Sequence, residues 1–153
     1  MPSLNTPALT LGSTTNDQRD VTVSGSITFN ASDIGKTYRL EIKVYGDDPA
    51  GDVLPSDDPV GNDLVYTYQW AGPFLLKPYK SITVAAAGTI NYSEKRSVTT
   101  SKLDEDKGTK IVGWAENDIP ILMPRKDEVY ASVTLAGAPV TAKSAVVTTG
   151  VGV

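Results

Sequence analysis

The sequence predicts an all-β protein, a two-sheet antiparallel β-sandwich, and three observations predict it. Three stretches alternate apolar and polar residues with a period of two, as half-buried strands do. No stretch carries a convincing 3.6-residue apolar period, so long helices are not expected. Short apolar runs are separated throughout by Gly, Pro and Asp, the residues that turn a chain between strands.

The first alternating stretch, VTVSGSITFN, places Val21, Val23, Ile27 and Phe29 on one face and Thr22, Ser24, Ser26, Thr28 and Asn30 on the other. TYRLEIKVYG repeats the pattern with Tyr38, Leu40, Ile42 and Val44 inward, and EVYASVTLAG does so with Val129, Ala131, Val133 and Leu135. These three strands should be central. Their inward residues are medium-sized aliphatics, as a core layer about 10 Å thick between two sheets requires.

Ahead of them, residues 1–19 are rich in Thr, Asn, Ser and Pro and read as a flexible arm or an edge strand. Further strands are expected at 64–70, 81–87, 89–92, 95–101, 110–115 and 144–149. IPILMP reads as a short edge strand, because Pro120 and Pro124 cannot donate ladder hydrogen bonds. At 153 residues, with no internal repeat, the chain fits a single domain over 1–153 that can bury a core without disulfides.

Composition excludes more chemistry than it suggests. With no cysteine and no histidine there is no thiol nucleophile, Ser-His-Asp triad, zinc ribbon or imidazole ligand. A carboxylate pair wants a concave, partly desolvated site, and the acids here fall in polar, Gly/Pro-rich stretches, so the expectation is a non-enzyme without transition metal or organic cofactor. A net charge of −4 with scattered basic residues argues against nucleic acid. The start of the chain lacks the basic and apolar regions of a secretory signal, and no apolar run approaches spanning length, so a soluble, cytoplasmic protein is the default expectation.

The stretch GDDPAGDVLPSDDPVGND packs six aspartates into eighteen residues with no Lys or Arg. Aspartate, proline and glycine are what any exposed loop contains, so a hydrated acidic loop is one reading. LEIKVYGDDPAGDVLPSDDP also resembles the first half of a C2 domain, and KLDEDKGTKIVGWAENDIPI its later Asp-x-Asp loop, a likeness spanning residues 38–122. The resemblance implies two loops converging at one end of a sandwich, with Asp48, Asp58, Asp104 and Asp106 as carboxylate ligands for Ca²⁺ and anionic lipid as the docking surface. Calcium takes six to eight oxygens, which Gly/Pro-rich loops can offer.

LMPRKDEVYASVTL followed by SAVVTTGV is similar to the last two strands of fibronectin type III domains, which implies an Ig-like alternative for the same sandwich. In VYTYQW, Tyr66, Tyr68 and Trp70 share one strand face, which would serve as a platform for a sugar or an apolar partner, or as core. Trp114 reads as a surface anchor or a core plug. Three function classes follow: a non-catalytic module that binds a protein partner or self-associates, a Ca²⁺-dependent C2-like module that contacts a membrane or a partner, and a carbohydrate-binding module using Tyr66, Tyr68 and Trp70.

Overall fold

The computed structural model describes residues 1–47, 63–104, 109–124, 126–138 and 140–148. In chain order the strands are β1 (Ser3–Leu4), β2 (Ala8–Thr15), β3 (Gln18–Phe29), β4 (Thr37–Gly46), β5 (Leu64–Thr67), β6 (Lys80–Thr83) and β7 (Gly88–Thr99). After one helical turn, α1 (Thr100–Leu103), come β8 (Thr109–Ala115), β9 (Ile119–Pro124), β10 (Glu128–Ala136), β11 (Val140–Lys143) and β12 (Val147–Thr148).

Two antiparallel sheets pack face to face. In the first, β3 is central: β7 pairs with its whole length, from Gln18 opposite Thr99 to Phe29 opposite Gly88, while β1 and β2 follow one another along its other edge. In the second, β4 and β10 pair from Arg39 opposite Ala136 to Gly46 opposite Val129. β5 and β6 line the free edge of β4, and β11 and β12 the free edge of β10. The three stretches with the cleanest alternation are thus the three strands paired on both sides.

Alternation also places the core correctly. Val21, Val23, Ile27, Phe29, Leu40, Ile42, Val44, Val129, Val133 and Leu135 are all buried, and they meet across the two sheets in one cluster. A short 3₁₀ turn at Ala31–Asp33 carries the chain from the first sheet to the second. Buried Asp33 fixes this crossover: its carboxylate accepts from the Asn30 N–H at 2.9 Å and the Tyr38 hydroxyl at 2.7 Å, and the Tyr38 ring stacks on Phe29.

Several boundaries differ from expectation for physical reasons. The separate strands predicted at 89–92 and 95–101 are one strand, β7, because Glu94 lies on the inner face and breaks the apolar pattern without breaking the ladder. The last residues of the second segment, Thr100 and Ser101, belong instead to α1, whose Leu103 is buried. The strand expected at 64–70 ends at Thr67, and that at 81–87 runs over 80–83. Before the two-residue β12 comes β11, a short edge strand whose sequence, VTAK, has too few apolar residues to display a period. IPILMP does not border either sandwich sheet: β9 pairs with β8 in a separate hairpin. Among the described residues no helix is long and apolar enough to cross a membrane.

Candidate functional site

Of the carboxylates that the C2 resemblance singles out, Asp48, Asp58 and Asp106 lie outside the described residues. Asp104 ends α1, where its backbone N–H donates to the Thr100 carbonyl at 2.9 Å. Among the described residues no three acids converge in a group that could hold a metal ion.

The aromatic stripe turns inward. Tyr68 is fully buried, its hydroxyl donating at 2.7 Å to the Val21 carbonyl of the facing sheet, and a ring with 0% exposure offers no face to a ligand. Tyr66 meets it edge-on and Trp70 packs beside it, both half-buried. The three rings therefore do not make a flat platform. Tyr66 instead lines an open depression of about 410 Å³ with Leu64, Gln69 and Lys102.

Trp70 anchors a polar cluster at the rim of the core. Its indole Nε1 donates to Glu94 at 3.1 Å, and Lys80 Nζ reaches the other carboxylate oxygen at 2.8 Å. Arg96 lies 3.6 Å from the same carboxylate, donates to the Gln69 carbonyl, and covers the Tyr68 and Trp70 rings at 5.3 and 5.4 Å. Burial alone would push the Glu94 carboxyl up, but the Lys80 and Trp70 hydrogen bonds and the two cations hold it below the ordinary range. Glu94 is thus held ionised by its partners, whereas a general acid must carry a proton to donate.

What this cluster does is brace a projecting loop. Trp70 and Lys77 exchange backbone hydrogen bonds at 2.8 Å each way, closing a narrow loop between them. Gly72 makes the closure possible, because a Cβ there would strike the Leu75 carbonyl oxygen. The loop everts its tip: Phe74 is 93% exposed, and Leu75 and Leu76 are also open to solvent. Three consecutive large apolar residues outside the core, on a base tied to Glu94, form an exposed apolar knob.

A second apolar surface is the β8–β9 hairpin. Its turn runs through Asn117 and Asp118, at φ 67° and 54°, residue types that tolerate the left-handed region. One hairpin face carries Trp114 opposite Pro120 and Ile111 opposite Leu122, and the other carries Ile119, Ile121 and Met123. These large side chains are between 43% (Met123) and 62% (Trp114) exposed, so Trp114 is at the surface and not a core plug. Apolar residues on both faces are the mark of a strand pair covered on both sides, and a lone two-stranded hairpin is marginal in water.

Of these two surfaces the sequence pointed only to Trp114, as a surface anchor or a core plug, and to nothing in Phe74–Leu76. Signals were present in both: Gly-Pro and Lys-Pro bracket Phe74–Leu76, and IVGWA with IPILM is apolar at both parities, unlike the three core strands. No family model, no curated protein and no solved structure matches this chain.

Proposed function

We propose that this chain is a non-catalytic β-sandwich module whose work is protein association, with the β8–β9 hairpin as the contacting element. The observation that carries the reading is the hairpin's two-faced apolar surface. Such a surface is disfavoured in water, and a hairpin of this length gains stability when another polypeptide covers it. The sandwich supplies the scaffold, and no reactive side chain is needed for this role.

Photo-crosslinking tests it. A photoreactive side chain placed at Trp114 should capture protein in the cells that express the chain, whereas the same group at exposed Ser93 on β7 should not. Capture of lipid alone, or equal yields at both positions, would overturn the association reading.

A further inference from the structure

We propose that the hairpin's partner is a second copy of this chain, and that the hairpin of one copy docks on the Phe74–Leu76 knob of the next in a head-to-tail contact. The inference rests on the association reading and adds to it the identity of the partner and the surface that receives the hairpin.

Charge and coverage support it. Phe74, Leu75 and Leu76 are 66–93% exposed and the large apolar side chains of the hairpin 43–62%. The hairpin turn, Glu116-Asn117-Asp118, is exposed and bears two acids and no base. The knob is bordered by Lys77 and by Arg39, which both lie over the Tyr79 ring, at 5.7 and 4.7 Å. Among the described residues neither cation meets a carboxylate, and neither Glu116 nor Asp118 meets a cation. An acidic tip on an apolar arm is complementary to an apolar knob with a cationic border.

Coverage favours this pairing over a twofold one. Two hairpins laid face to face would leave both knobs in water, whereas hairpin on knob covers the knob and one hairpin face in every copy with a single kind of contact. Because the two surfaces differ, the contact is heterologous and continues into a ring or a filament according to the rotation between copies.

Sedimentation of complementary variants distinguishes the outcomes. Trp114→Ser with Ile121→Ser removes the arm, and Phe74→Ser with Leu75→Ser removes the knob; all four positions are exposed, and circular dichroism checks that the sandwich persists. The wild type should associate with rising concentration, each double variant should associate at least about tenfold more weakly, and an equimolar mixture should recover a discrete heterodimer. Likewise Glu116→Lys with Asp118→Lys should weaken association, and mixing with Lys77→Glu plus Arg39→Glu should restore it. If the knob variant associates like wild type while the arm variant does not, the head-to-tail contact is wrong and the association reading stands. A wild type that stays monomeric to on the order of 1 mM overturns the inference. If that monomer also sediments with phosphatidylcholine vesicles, the association reading falls with it.

Discussion

The indole of Trp70 donates to Glu94 at 3.1 Å and so links the base of a solvent-exposed loop to the inner face of β7. The same indole lies under the Arg96 guanidinium, which leaves the side chain little freedom to rotate. Trp70→Phe keeps most of the ring and removes the donor. The expected loss is about 1.5 kcal/mol in urea denaturation, the scale for a hydrogen bond to a charged group. Hydrogen exchange at residues 71–77 should accelerate in the variant, and unchanged exchange there would show that the loop is held by its backbone bridge alone.

Gly25 lies on the inner face of β3 where the ring of Tyr92 crosses it. A Cβ at this position would stand 2.7 Å from Tyr92 Cζ, too close for any side chain to accept. Gly25→Ala should therefore cost about 1–3 kcal/mol by overpacking. The Tyr92 hydroxyl is buried with no hydrogen-bond partner among the described residues, so Tyr92→Phe should be neutral or stabilising. A double-mutant cycle should show the Phe variant recovering part of the glycine penalty, and strict additivity would contradict this packing.

Stability should fall at both ends of the pH scale. The Asn30 N–H, followed by the Tyr38 hydroxyl, holds Asp33 below its ordinary value of 3.8, and Glu94 is held below 4.5. Lowered carboxyls stabilise the fold above those ordinary values, and the contribution disappears as pH falls through and below them. Burial pushes Tyr92 from 10.0 up to about 12 and raises Tyr68 as well; their contribution is whole below pH 10 and is lost as pH climbs toward 12. With no histidine in the chain, the denaturation midpoint should be nearly flat between about pH 6 and 9. A steep change inside that window would point to a group other than these.

Calcium gives a further discriminating measurement. Repulsion among the six aspartates of Gly46–Asp63 is relieved by ionic strength, so CaCl₂ and NaCl at matched ionic strength should move the melting temperature equally. A calcium-specific rise, lost in Asp48→Asn with Asp104→Asn, would establish the C2-like cage instead.

Where one face is buried and the other wet, the sequence states it openly: Ile42 and Val133 face each other across β4 and β10 at the centre of the core, and both were legible from parity alone. Glu94 shows where parity fails. An acid on the inner face looks like the end of a strand until its partners are known, and two of them, Lys80 and Trp70, come from other parts of the chain. The exposed surfaces were obscured for the opposite reason. Apolar residues in Phe74–Leu76 and the hairpin look like core material, and only the tertiary arrangement reveals how much of each stays open to solvent.

The pairing of β7 with the whole of β3 has a kinetic consequence. Residues joined there, such as Val23 and Glu94, are far apart in sequence, as are Ile42 and Val133 in the other sheet. Forming either ribbon requires closing a long loop before any ladder bond offsets the lost entropy, which places folding on the millisecond-to-second scale. The β8–β9 hairpin, closed by three residues, forms in about 1–10 μs. A growing population of chains would therefore display its stickiest arm long before its sandwich exists, and refolding yield should decline as protein concentration rises.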